Sequence, residues 1–196
     1  MQQGELVLVL GGAKSGKSEF AEKLYAPQDN ICYIATGVLQ SSDPEMKLRI
    51  LKHQQRRSSH WQTREQYQNI AQLISQKPRT GYILDDVTMA VTNVFYDLLK
   101  NKVKAKQIDD YLDSLSITDL NQLKSSVLSQ WQQLIEAQKL QHQSLVLVSN
   151  EVGLGIVPVT KQTRVLRDLY GEVNQVLAQA ADIVYFVVSG IPLKIK

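Results

Sequence analysis

The sequence predicts an α/β protein: a doubly wound, mostly parallel sheet with helices on both faces, built as one domain. Three observations lead there. Apolar runs of strand length recur at residues 6–10, 31–35, 82–84, 145–148 and 183–188, and they are continuous rather than alternating, as in strands buried on both faces. Amphipathic helical stretches separate them. The first run feeds a glycine-rich loop that opens into helical spacing, a strand–loop–helix unit.

Taken in order, the first strand is Leu6-Val7-Leu8-Val9-Leu10, and the loop behind it is Gly11-Gly12-Ala13-Lys14-Ser15-Gly16-Lys17-Ser18. These eight residues fit G-x-x-x-x-G-K-[ST], the pattern of a phosphate loop (P-loop, or Walker A). The glycines let the backbone turn tightly with its N–H groups inward, and the helix that follows adds the positive end of its dipole. Lys17 would reach the outer phosphates of a nucleoside triphosphate as a point charge, and the Ser18 hydroxyl would be a ligand for Mg2+. The sheet is thus expected to be of the RecA-like kind, and the chain to bind a triphosphate.

The second strand, Ile31-Cys32-Tyr33-Ile34-Ala35, holds the single cysteine, which excludes an intrachain disulfide or a cysteine metal cluster and reads as strand packing. Next comes a basic stretch from Glu45 to Trp61, read as a helix carrying His53 and a loop carrying His60. Its five cations at Lys47, Arg49, Lys52, Arg56 and Arg57 could clamp phosphates, and a neutral imidazole could attack phosphorus. Composition alone favours a solvated basic face with an incidental histidine.

The third strand ends in Tyr82-Ile83-Leu84-Asp85-Asp86. An acid at the carboxyl end of a strand can face a metal held at Ser18, and on the sequence either aspartate could serve. Residues 100–118 lose periodicity and gather Lys and Asp, so a surface insertion or mobile lid is expected there. A long helix is expected from Asp119 as N-cap, with a stripe of Leu120, Leu123, Val127, Trp131, Leu134 and Ile135. The fourth strand leads into Asn150-Glu151-Val152-Gly153-Leu154-Gly155-Ile156-Val157-Pro158, a loop at the ligand-binding edge of such a sheet, expected to touch a ligand or another subunit. His142, in a polar turn before that strand, reads as inert.

Composition bounds the rest. The chain has 196 residues with 43% hydrophobic content and a net charge of +3, ordinary for a globular domain and too weakly basic to imply nucleic acid. No run is long enough to span a membrane, and the N-terminus lacks a secretory pattern, so a cytoplasmic protein is expected.

At this point the residues resemble a known family, the bifunctional adenosylcobinamide kinase/adenosylcobinamide-phosphate guanylyltransferases of cobalamin biosynthesis. The likeness is carried by the phosphate loop, Tyr33-Ile34-Ala35-Thr36, Glu45-Met46 with Arg49-Ile50 and His53, and above all the Asn150 to Pro158 stretch. It continues through Arg167-Asp168, Gly171, Val173-Asn174-Gln175, Ala180-Ala181-Asp182 and Val187-Val188-Ser189-Gly190-Ile191. The resemblance implies two reactions. A nucleoside triphosphate, ATP or GTP, phosphorylates the aminopropanol hydroxyl of adenosylcobinamide; then GMP passes from GTP through a histidyl intermediate to the phosphate, giving adenosylcobinamide-GDP.

His53 matches the family's covalent histidine, which overturns the composition-based reading. Lys17, Ser18 and Asp85 carry over as phosphate and Mg2+ contacts, Asp85 standing where the family commonly has an acid, often Glu. Thr36, Arg57, Ser58, Ser59, His60 and Glu65 match the region used around the nucleotide. Glu65 could accept both N–H donors of a guanine edge, or be a solvent-facing glutamate at a helix start. A homo-oligomer, in this family a trimer, is also implied. The alternative is a P-loop ATPase interaction module of the DNA-recombination accessory type, which explains the loop, the acids and the basic helix without a reactive His53. A GTPase switch lacks its Asn-Lys-x-Asp signature, since Asn101-Lys102-Val103-Lys104 has no acid.

Overall fold

Alternation of leucine with valine in the first strand decides how the sheet is covered. Strand β1 (Leu6–Gly11) is buried along its whole length. Its Leu6, Leu8 and Leu10 enter one core cluster and its Val7 and Val9 another. The same split recurs in β5 (Ser144–Asn150), where Leu145 and Leu147 face the first cluster and Val146 and Val148 the second. Successive side chains of a strand point to opposite faces, so this pattern gives the sheet a leucine face and a valine face.

The computed structural model describes residues 1–37, 58–76 and 79–196. Between β1 and β5 lie α1 (Lys17–Lys23), β2 (Ile31–Ala35), β3 (Gln62–Glu65), α2 (Ile70–Gln76), β4 (Gly81–Asp85), α3 (Val87–Leu99), α4 (Ile108–Ser114) and α5 (Ile117–Gln141). After β5 come α6 (Lys161–Ala180), β6 (Ile183–Val188) and β7 (Ile191–Lys194). The strands form one sheet in the order β3-β2-β4-β5-β1-β6-β7. Every pairing is parallel except β6 with β7, which is antiparallel. The expected mostly parallel α/β architecture is therefore the observed one.

Helices lie on both faces, as expected. The leucine face is covered by α2, α3, α5 and α6 through residues such as Ile74, Phe95, Trp131 and Leu169. Among the described residues, the valine face is covered by α1 through Ala21, with Tyr25, Phe20, Leu24 and Trp61 around it. The phosphate loop and its helix thus sit on the valine face.

Three local readings change. Helix α5 starts earlier than expected: its N-cap is Ser116, whose Oγ accepts from Asp119 N at 3.1 Å, so Asp119 is a first-turn acid rather than the cap. Serine and aspartate compete for this role, and the helix takes the cap that gives it an extra turn. The 100–118 stretch, expected as a surface insertion or lid, contains a short 3-10 turn and then α4, whose Ile108 and Leu112 are buried in the leucine-face core. Two apolar residues one turn apart were enough to pack a helix that its charged neighbours disguised. Strands β3 and β7 were not anticipated; β3 is mostly exposed and β7 fully so, because edge strands need bury little.

All the parallel strands end at one edge. Gly11 lies beside Asn150 and Val187, Asp85 beside Ala35 and Val148, and Ala35 beside Glu65. That carboxyl edge is where sheets of this class hold ligands.

Candidate active site

The phosphate loop is shaped by steric necessity at two of its glycines. A Cβ on Gly11 would lie 2.5 Å from Ser15 Oγ and 2.7 Å from Val187 O, so no side chain fits. Gly16 is the N-cap of α1 and is left-handed, with φ 91°, a region that favours glycine. Gly12 differs from expectation: it faces open space, so the protein itself does not demand a glycine there. The loop is also braced from outside. Gly190, in the β6–β7 turn with φ 83°, donates its N–H to Ser15 O at 2.7 Å, and its Cα lies 3.2 Å from where a Gly16 Cβ would stand. This gives the Ser189-Gly190 pair of the C-terminal stretch a physical purpose.

Two polar groups in the cradle are set up for an anion. Among the described residues Ser15 Oγ is buried with no hydrogen-bond partner, a costly arrangement that an incoming oxygen would relieve. Lys17 is buried as well, and its Nζ donates to Gly12 O at 3.1 Å. Burial lowers the Lys17 pKa, while the charges of Asp86 and Asp85 oppose that shift. Ala13 and Lys14 sit exposed at the rim.

Tertiary structure decides between the two aspartates. Asp85, the last residue of β4, accepts from Ser18 Oγ at 3.0 Å through Oδ1, and from the Tyr33 hydroxyl through Oδ2. A serine hydroxyl and a carboxylate oxygen facing each other beside a phosphate loop are hard oxygen donors, and they fit magnesium. Asp86 has a different task. It caps α3, its Oδ1 accepting from Thr88 N at 2.8 Å and Thr88 Oγ1 at 2.6 Å. Its Oδ2 accepts from Asn150 Nδ2 at 2.5 Å. Burial raises the Asp86 pKa, more than the Thr88 hydrogen bond lowers it.

Around Asp86 runs a polar network that joins three strand ends. Asn150 Nδ2 also donates to Thr88 Oγ1 at 2.7 Å, Asn174 Nδ2 donates to Asn150 O at 3.1 Å, and Ser149 Oγ donates to Asn174 Oδ1 at 2.6 Å. Thr36 is fully buried, and its hydroxyl bridges the backbone of Asp86, donating to the carbonyl at 2.6 Å and accepting from the N–H at 2.8 Å. Its place is thus beneath the corner where Ser18 meets Asp85. From Asn150 the chain passes Glu151, whose N–H donates to Gly11 O at 3.1 Å. It then enters a segment whose Leu154, Ile156 and Val159 are 84%, 95% and 93% exposed. Arg167 holds that segment by donating to Gly153 O at 2.8 Å.

The remaining sequence-chosen residues are spread out. Glu65 ends β3, exposed, with Ala35 as its register partner on the carboxyl edge, so it is a strand end and not a helix start. Ser58, Ser59 and His60 precede β3 and therefore lie at the opposite edge of the sheet. Ser58 Oγ there donates to Pro27 O at 2.7 Å, and His60 N donates to Ser58 Oγ at 3.2 Å. The fold of one chain does not bring these three to the phosphate loop. His53 and Arg57, with Arg49 and Lys52, lie outside the described residues.

Sequence reasoning missed Tyr33 and the capping role of Asp86. Signals for both existed: a tyrosine inside an aliphatic strand needs a partner for its hydroxyl, and Asp before Val-Thr at a helix start is an N-cap pattern. Among the described residues no cluster of three His, Cys, Asp or Glu side chains could hold a metal, and no helix is long and apolar enough to cross a membrane.

Comparison with known proteins points to one family. The family model described as cobinamide kinase / cobinamide phosphate guanyltransferase matches residues 7–195. The bifunctional adenosylcobalamin biosynthesis protein CobU of Escherichia coli K12 is 40% identical over 193 residues, 97% of this chain and 99% of that one. CobU of Salmonella typhimurium LT2 is likewise 40% identical over 193 residues, with the same coverage. CobP of Pseudomonas aeruginosa PAO1 is 33% identical over 192 residues, 96% of each chain.

Proposed function

The chain belongs to the cobinamide kinase / cobinamide phosphate guanyltransferase family, and from that premise we propose that it performs both reactions on adenosylcobinamide. In the first, the aminopropanol hydroxyl attacks the γ-phosphorus of ATP or GTP. The new O–P bond forms as the bridging O–P bond breaks, and the nucleoside diphosphate leaves. In the second, a ring nitrogen of His53 attacks the α-phosphorus of GTP and displaces pyrophosphate, giving histidyl-GMP. A phosphate oxygen of adenosylcobinamide phosphate then attacks that phosphorus and releases His53, giving adenosylcobinamide-GDP. Covalent capture splits one difficult displacement into two.

The observation that carries the nucleotide half is the 3.0 Å contact of Ser18 Oγ with Asp85 Oδ1 at the mouth of a braced phosphate loop. Backbone N–H groups of residues 11–16 and the Ser15 hydroxyl hold the phosphates, and Lys17 neutralises the outer ones. Ser18 and Asp85 hold Mg2+, which when bound offsets charge on the phosphate oxygens. Glu65 is on the carboxyl edge, where it can meet a guanine, while Thr36 supports the corner beneath the metal. Ser58, Ser59, His60 and Arg57 would act on a nucleotide presented by a neighbouring subunit. A homo-oligomer, a trimer by resemblance, would supply that neighbour and also cover Ile191, Leu193 and Ile195, which are exposed on β7 and just beyond it. We place the enzyme in the cytoplasm, with no nucleic-acid or membrane partner.

The test is incubation with magnesium and GTP radiolabelled at the α- or the γ-phosphate, followed by denaturing electrophoresis and acid treatment. Acid-labile α-label on wild type, absent from His53→Ala, is the expected result. A folded, GTP-binding protein that takes no α-label would overturn the guanylyltransferase half. Salt-sensitive binding to single-stranded DNA alongside that result would favour the ATPase interaction module instead.

A further inference from the structure

Strand β2 reads Ile31-Cys32-Tyr33-Ile34-Ala35, and Tyr33 is fully buried in the valine-face core. A phenylalanine ring would fill the same volume, so packing does not call for the hydroxyl. Burying a hydroxyl is costly unless it is bonded, and this one donates to Asp85 Oδ2. Register explains how they meet. Tyr33 pairs with Ile83 and Ala35 with Asp85, so Tyr33 and Asp85 lie on one face of adjacent strands, two residues apart along them. Ser18, from α1 above that face, donates to the other oxygen at 3.0 Å.

We infer that Tyr33 is a positioning residue for the metal carboxylate: by occupying Oδ2 it fixes the rotation of Asp85 and reserves Oδ1 for the cation beside Ser18. This rests on the reading of Ser18 and Asp85 as the magnesium side of the site. Magnesium accepts only near-ideal octahedral geometry and is usually held through one or two carboxylates that keep their place. A carboxylate free to turn could offer both oxygens or neither. Partners that orient a ligand in this way are commonly worth about 10-fold to 100-fold in metal affinity.

The experiment uses the full chain with a non-hydrolysable GTP analogue, and reads Mn2+ binding from the electron paramagnetic resonance signal of the free ion. Tyr33→Phe should weaken Mn2+ binding about 10-fold. One control should stay unmoved, the affinity for the analogue in EDTA; the melting temperature without metal should fall by no more than the about 3–12 °C that one lost hydrogen bond to a carboxylate costs in a chain of this size. Asp85→Asn is measured in parallel as the benchmark for the ligand itself. If Asp85→Asn weakens Mn2+ and Tyr33→Phe does not, Tyr33 does not position the carboxylate and the inference falls alone. If neither variant weakens Mn2+, Asp85 is not a metal ligand, and the inference falls with that reading. If Tyr33→Phe weakens metal-free nucleotide binding equally, or melts far below wild type, the hydroxyl is structural and the inference is overturned.

Discussion

Asn150 offers the sharpest test of the network beneath the site. Its Nδ2 donates to Asp86 Oδ2 at 2.5 Å and to Thr88 Oγ1 at 2.7 Å. Asn150→Ala leaves a partly buried carboxylate oxygen without its donor, and a hydrogen bond to a charged group is worth about 1.5–3 kcal/mol. At about 2–4 °C per kcal/mol for a chain of this size, the melting temperature should fall about 3–12 °C.

Asn150→Asp keeps the shape but sets a second carboxylate against Asp86. Two like charges about 4 Å apart repel by about 4 kcal/mol at an effective dielectric constant of about 20, so the loss at pH about 8 should exceed that of the alanine variant. The sign with pH follows from Asp86, whose carboxyl is already raised by burial. A second carboxylate raises it further, because two acids in one site share a proton. For a raised acid, stability is full below the ordinary carboxylate range of about 4 and is lost as pH rises through the raised value. The deficit of Asn150→Asp relative to wild type should therefore be small near pH about 5 and large near pH about 8. The assay is thermal unfolding by circular dichroism at both pH values in metal-free buffer. An Asn150→Asp variant whose deficit is the same at both would refute the claim that the Asn150 amide faces an ionised Asp86.

Three further outcomes are expected. Lys17→Ala should depress kinase and guanylyltransferase turnover together, by at least about 100-fold if one phosphate loop serves both steps; loss of one activity alone, in rates measured with each corrinoid, would show two separate triphosphate sites. Gly81→Ala would put a Cβ 2.3 Å from Tyr25 Oη and 2.6 Å from its Cζ, so denaturant titration should show about 1–3 kcal/mol lost to overpacking, a cost that Tyr25→Ala in the same chain removes. Leu112→Ala, in a helix inside the stretch that reads as a surface insertion or lid, should cost about 2–5 kcal/mol because Leu112 is 1% exposed; a change under about 0.5 kcal/mol would mean α4 is not anchored to the core.

Legibility followed burial and sequence distance. The five central strands could be read because parallel strands covered on both faces are continuous apolar runs, whereas Gln62-Thr63-Arg64-Glu65 and Ile191-Pro192-Leu193-Lys194 could not, since an edge strand is defined by its neighbour rather than by its own side chains. Helix α4 hid behind Asp109, Asp110 and Asp113 because seven residues carry too few turns for a stripe to stand out.

By itself, the sequence determined the strand–loop–helix with Lys17 and Ser18 and the class of the sheet, because these depend on residues adjacent in the chain and on local backbone geometry. Only the tertiary structure decided that Asp85 rather than Asp86 meets Ser18, that Tyr33 holds it, that Asn150 secures Asp86, and that Gly190 braces the loop at Ser15. Each of these contacts joins residues dozens of positions apart or more, brought together by strand order and register. The order β2-β4-β5-β1-β6 lines up the carboxyl ends of five separate segments, and no pattern within any one segment encodes which neighbour it will have.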